Sequence, residues 1–155
     1  MSILACSTMV AAPPLTLKPI DEAGYNALLK QHAGKIIVMD IWAAWCEPCR
    51  MEMPDLVQMS KRLAPKGVDL VTVTIDNPAE LSYAEKFLHK NNVPFPSYYR
   101  KTKDEDAWVH NVHPQWTGTL PAMFIYDKSG KLATAMIGSQ PIAKIEATIA
   151  ELQKR

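Results

Sequence analysis

Val38-Met39-Asp40-Ile41-Trp42-Ala43-Ala44-Trp45-Cys46-Glu47-Pro48-Cys49-Arg50-Met51-Glu52-Met53-Pro54 carries the change from strand to helix around which the chain is organised. A β-branched apolar run ends at two tryptophans, and a C-x-x-C then opens a helical pattern. Two cysteines three residues apart lie about one helical turn from each other, so their sulfurs can reach disulfide distance. With Cys46 at a helix N-terminus, free backbone N–H groups and the helix dipole point at its sulfur. That favours the thiolate, which is the nucleophilic form. Pro48 suits a first turn, where its missing N–H costs nothing. Cys49, further into the helix, is expected to be the more buried sulfur and to keep its proton until it is needed. The stretch reads as a redox dithiol.

Working outward, Lys35–Trp42 is a near-continuous apolar strand of the kind buried on both faces of a parallel sheet. The helix from Cys46 to Leu63 is expected to bend at Pro54. Pro65-Lys66-Gly67 turns the chain into a second buried strand, Val68–Ile75, and such a strand–helix–strand crossover makes the two strands parallel. Before it, Asp21–Ala33 reads as a helix with Tyr25, Leu28, Leu29 and His32 on one face and Gly34 as its stop. The preceding Pro13–Pro19 is an extended lead-in. After it, Asn77-Pro78-Ala79-Glu80 starts a helix that runs to Lys90, with Leu81, Ala84 and Leu88 inward. Asn91–Thr119 is irregular apart from a short helix around Asp104–Val112. Pro121–Asp127 and Leu132–Ile137 form a hairpin across Lys128-Ser129-Gly130. Ile142, Ile145, Ile149 and Leu152 lie at helical spacing. The order predicts an α/β chain with a mixed central sheet flanked by helices.

Composition narrows the classes. The 155 residues suit one domain with a proper core, at 48% apolar and 21% charged. A net charge of +1 gives no argument for nucleic acid or for a membrane surface. Three cysteines are too few for a disulfide scaffold. A zinc site is the competing use of a C-x-x-C, but zinc wants four ligands. The third cysteine, Cys6, stands far upstream, and the four histidines are scattered, His110-x-x-His113 included. No metal is expected, and a C-x-x-C beside a strand–helix–strand pattern points to redox chemistry.

At these residues the chain resembles the thioredoxin superfamily. Asp40-x-Trp42-Ala43-x-Trp45-Cys46-x-Pro48-Cys49, with Pro54 following, is similar to the thioredoxin signature. Glu47-Pro48 and Arg50-x-Glu52-x-Pro54 are similar to the extracytoplasmic TlpA/ResA branch. The resemblance covers roughly Leu15–Leu152 and implies a thioredoxin fold. It implies that Cys46 attacks a target disulfide and that Cys49 resolves the mixed disulfide, with no cofactor beyond the Cys46–Cys49 couple. It gives Asp40 the proton of the buried cysteine. Inside Ile36–Ile41 that carboxylate should be desolvated and its pKa raised; the alternative is an aspartate at a strand edge, facing water. TlpA-like proteins often carry asparagine there, so Asp40 departs towards the thioredoxin pattern. Thioredoxins pair it with a lysine on the next strand, where this chain reads Val71-Thr72-Val73-Thr74.

By the same resemblance Leu120-Pro121 is the cis-proline position, whose backbone would lie beside Cys46 and pair with an extended substrate. Trp45, Glu47 and Pro48 complete the expected substrate-binding set. Trp45 is an exposed apolar shelf, Trp42 packs beneath it, and Arg50 and Glu52 are a solvated helix face. The stretch 94–119, with Tyr98, Tyr99, Trp108 and Trp116, either seals the core or recognises a partner.

Residues 1–14 are read as a leader remnant or a flexible N-terminus, and 15–155 as the thioredoxin-like domain. Ile3-Leu4-Ala5-Cys6 resembles a lipobox, yet no basic residue precedes it and the apolar run is short. The expected activity is thiol–disulfide exchange, as a protein-disulfide reductase outside the cytoplasm, in the periplasm or on a lipid anchor. A membrane thiol donor, with apocytochrome c among the targets, follows from the resemblance, as does a monomer. The other readings are an oxidase or isomerase, a thiol peroxidase (for which no peroxidatic loop context is visible), and a non-catalytic binding module.

Overall fold

Seven consecutive residues with no room for water fix the centre of the sheet. The computed structural model describes residues 17–155, and in it β2 (Ile36–Trp42) is buried along its whole length. β2 pairs in parallel with β3 (Val68–Thr74) on one side and antiparallel with β5 (Ala122–Tyr126) on the other. β6 (Leu132–Ile137) returns antiparallel to β5 and is half-exposed, as an edge should be. With β1 (Lys18–Ile20) and β4 (Ser97–Arg100), the mixed sheet has the order β1-β4-β3-β2-β5-β6.

Strand alternation sorts the core into two layers. Ile36, Val38 and Trp42 face α2 (Glu47–Leu63), α3 (Leu81–Lys90) and α5 (Ile142–Gln153). Ile37, Met39 and Ile41 face α1 (Glu22–Gln31) and α4 (Glu105–Val112). α1 is capped by Asp21, whose carboxylate accepts the Gly24 N–H at 2.7 Å, and its exit is turned by Gly34 at φ +95°. α2 runs unbroken through Pro54.

Two strands escaped the sequence reading, and both lie at one edge. β1 (Lys18–Ile20) falls in the stretch taken as an extended lead-in, and β4 (Ser97–Arg100) in the stretch taken as irregular. Three or four residues cannot show a periodicity, and Pro19 argues against a strand anywhere but an edge. What makes them strands is parallel pairing, Lys18–Ile20 on Tyr98–Arg100 and Ser97–Tyr99 on Thr72–Thr74.

The 94–119 stretch is thus a strand and a helix rather than a loop. Trp108 and Trp116 are core residues that pack edge-on to Tyr25 and Phe124, so they seal the layer opposite α2. The helix expected from Pro78 begins instead as a 3-10 turn, Pro78–Glu80. The segment read as a leader, Cys6 included, lies outside the described residues. Among the described residues no helix is long and apolar enough to cross a membrane.

Candidate active site

Parallel pairing brings the C-terminal ends of β2 and β3 to one edge of the sheet, and the cysteines follow directly from β2. Cys46 is the N-cap of α2, in an extended conformation, and its sulfur accepts the Cys49 N–H at 3.3 Å. Glu47 and Pro48 form the first turn and are exposed. Cys46 and Cys49 are joined as a disulfide with Cα atoms 5.3 Å apart. Cys49 is fully buried against Met53 and the sheet, whereas Cys46 keeps a sliver of exposure. A sulfur at the capping position sees the unpaired N–H groups of the first turn, and any negative charge there is stabilised by them.

Two residues before the end of β2 lies Asp40. Alternation along β2 puts its side chain on the same face as Val38 and Trp42, the face that packs on α2. It is 1% exposed, which excludes the strand-edge alternative. Loss of water pushes its carboxyl up to about 7, and the Thr72 hydroxyl, donating to it at 3.0 Å from the paired position of β3, pulls the other way. Where a lysine was looked for, this chain supplies a neutral hydroxyl.

Glu52 does not fit the solvated face assigned to it. One turn beyond Cys49 on α2, it is half-buried, and its carboxyl is pushed up to about 8 by lost hydration and then by the charge of Asp40. Two carboxyls therefore share the region behind the cysteines. Asp40 ionises first, and its charge then resists ionisation of Glu52. A sequence clue existed: Glu52 is three residues after Cys49, on the turn whose neighbours Cys49 and Met53 face the core. Arg50 does remain exposed, with its guanidinium 5.6 Å over the Phe87 ring.

The turn between β2 and Cys46 is held by a second aspartate that the sequence reading passed over. Asp76, 2% exposed just after β3, accepts the Ala44 N–H at 2.8 Å and the Thr74 hydroxyl with the same carboxylate oxygen. This ties the end of β3 to the active-site turn and leaves Trp45 standing out, 63% exposed. Trp42 packs below, fully buried against Phe87.

The Leu120–Pro121 peptide is cis. Because Ala122 pairs with Ile41, Pro121 falls one position further, level with the end of β2 and the turn leading to Cys46. The Pro121 carbonyl is used by the Gly138 N–H at 2.8 Å. The structure thus gathers Asp40, Trp45, Cys46, Glu47, Pro48, Cys49, Leu120 and Pro121 at one end of the sheet.

Comparison with known proteins agrees with this geometry. Residues 9–135 match the model of the AhpC/TSA family. The chain is similar to the thiol-disulfide oxidoreductase ResA of Bacillus thuringiensis subsp. konkukian, 30% identical over 127 residues, which are 81% of this chain and 68% of that protein. It is similar to ResA of Geobacillus kaustophilus at 29% over 126 residues, with the same shares. Among solved structures it resembles a putative thiol:disulfide interchange protein DsbE from Chlorobium tepidum. That match has a TM-score of 0.67 at 28% identity and covers 81% of this chain and 84% of the other.

Proposed function

The chain belongs to the AhpC/TSA family, and from that membership and the Cys46–Cys49 pair we infer that it is a thiol–disulfide oxidoreductase acting as a reductase of protein disulfides. The observation that carries the reading is a C-x-x-C disulfide at a helix N-terminus, with a buried carboxyl raised to about 7 on the strand that leads into it.

In the reduced protein the Cys46 thiolate attacks one sulfur of the target disulfide. The target's other sulfur leaves as a thiolate, and a mixed disulfide forms. Cys49 then loses its proton towards Asp40 and attacks the Cys46 sulfur. The second target sulfur leaves, so the target gains two electrons and, with protons, becomes a dithiol, while Cys46–Cys49 becomes the disulfide. A carboxyl near 7 can take the Cys49 proton at neutral pH without holding it tightly. By the β2–β5 register Leu120 and Pro121 lie level with the turn before Cys46, where an extended target chain can pair with the backbone of Leu120. Trp45, Glu47 and Pro48 form the rim that the target meets.

The relatives named ResA support a place outside the cytoplasm, with a membrane thiol carrier as electron donor and apocytochrome c among the targets. The direction of electron flow rests on the residues between the cysteines. Glu47 and Pro48 add no cation, and an acidic side chain beside the sulfur opposes a second negative charge. The couple should lie nearer thioredoxin, at about −270 mV, than the strong oxidants at about −120 mV. Equilibration with glutathione measures it. A potential above about −180 mV, in the isomerase range, refutes the direction while leaving the exchange chemistry in place.

A further inference from the structure

Beside Trp45 the active-site turn, the start of α2 and α3 enclose an open hollow of about 320 Å³. Its rim carries two aromatic side chains turned to solvent, Trp45 at 63% and Tyr83 at 65% exposed. Among the described residues only four large apolar side chains stand exposed, so two of them on one hollow is a concentration that calls for a ligand. Phe87 forms the inner wall, and Glu80 and Asp76 supply carboxylates.

Asp76 gives the second observation. One of its oxygens takes both the Ala44 N–H and the Thr74 hydroxyl, while the other is buried with no hydrogen-bond partner among the described residues. A buried acceptor left unpaired costs free energy that an incoming N–H donor would recover. Aromatic faces with carboxylates between them select a cation. Arg50 illustrates the affinity, its guanidinium lying over Phe87 without an ion pair among the described residues. With two carboxylates against one guanidinium, the walls still favour added positive charge.

We propose that this hollow is a subsite for a lysine or arginine side chain of the target polypeptide, close in sequence to the cysteine that Cys46 attacks. The placement rests on the exchange reading above. Trp45 is both a wall of the hollow and the neighbour of Cys46. Because Trp45 directly precedes Cys46, the cationic residue stands within a few positions of the attacked cysteine.

The test uses the reduced protein and three short peptides, each with one cysteine in a mixed disulfide with 2-mercaptoethanol. They differ only in lysine, norleucine or glutamate two positions from that cysteine, and hydroxyethyl disulfide serves as the small substrate. The expected result is a kcat/KM about tenfold higher for the lysyl than for the norleucyl peptide, expressed mainly in KM, with the glutamyl peptide lowest. In a double variant, Glu80→Gln with Tyr83→Ala, both at side chains that solvent reaches, the lysyl-to-norleucyl ratio falls to within about twofold. Asp76→Asn lowers the ratio as well. Should that variant lose its fold through the Ala44 contact, the double variant alone decides.

A wild-type ratio near one, a glutamyl preference, or a full lysyl preference surviving the double variant overturns the subsite. Because all three peptides undergo the same exchange step, the ratio reads recognition and not chemistry. Failure to reduce hydroxyethyl disulfide at all would instead refute the exchange reading itself.

Discussion

Replacing Asp40 by asparagine separates the two effects of a buried carboxyl, its cost to the fold and its use to the dithiol. The side chain is 1% exposed and its carboxyl is pushed from an ordinary 3.8 to about 7. A group whose folded pKa is raised leaves the fold fully stable below its unfolded value and takes stability away as pH rises towards the folded value. Below about pH 4 the carboxyl is protonated in both states and costs nothing. Between about 4 and 7 the unfolded chain gives up this proton while the folded chain keeps it, so the penalty grows by about 1.4 kcal/mol per pH unit.

Over the roughly three units between 3.8 and 7 the penalty reaches about 4 kcal/mol. Above pH 7 it is flat. Asp40→Asn removes that penalty, and its amide oxygen can still accept from Thr72. The new NH₂ must also be buried, at a cost of about 1–3 kcal/mol. The net gain at pH 8 is therefore on the order of 2 kcal/mol, and in acid it vanishes or reverses.

Guanidinium unfolding of the oxidised wild type and variant at pH 4, 5.5, 7 and 8.5 measures the difference directly. Insulin reduction at pH 7 measures the other effect, a loss on the order of 10²-fold if Asp40 takes the Cys49 proton. A stability difference that stays constant across those pH values, or an unchanged rate, refutes the assignment.

Three further outcomes follow from the same geometry. Iodoacetamide applied to the reduced protein at neutral pH should label Cys46 well before Cys49, because only Cys46 is at the helix start and touched by solvent; equal rates would remove the distinction of roles. Cys49→Ser should accumulate mixed disulfides with protein targets on a non-reducing gel, and Cys46→Ser should not. Thr72→Val should move the apparent pKa of the reduction rate up, because the hydroxyl that stabilises the Asp40 carboxylate is lost, whereas Glu52→Gln should leave it nearly in place, because Glu52 is still protonated while Asp40 ionises. A Thr72→Val profile that does not move up, or a Glu52→Gln profile that moves as far, would mean that Asp40 is not the group being read.

Residues close in sequence left a clear record. The burial of β2, the crossover into β3, the cysteine at a helix start and the hairpin after Pro121 are all written within windows of a few residues. Periodicity, chain reversal and helix-terminal chemistry act over that range. The exposure of Trp45 and the burial of Trp42 followed from their order around the same strand end.

The edge strands β1 and β4 left no such record. Each is defined by its partner, and Lys18-Pro19-Ile20 is a strand only because Tyr98–Arg100 lies beside it. The same holds for the acids behind the cysteines. Asp40 and Glu52 are separated by the turn of chain that carries Trp45 and the cysteines, and each looks ordinary alone. The influence of Asp40 on Glu52 exists because α2 packs on the face of β2 that carries Asp40. Thr72 becomes its partner through the parallel register, and Asp76 becomes the brace of the active-site turn through contact with Ala44. Local sequence thus set which residues can do thiol chemistry. The packing of α2 and β3 against β2 decided where the protons and the unpaired acceptor sit, because electrostatic and hydrogen-bond energies depend on distances that only the folded chain creates.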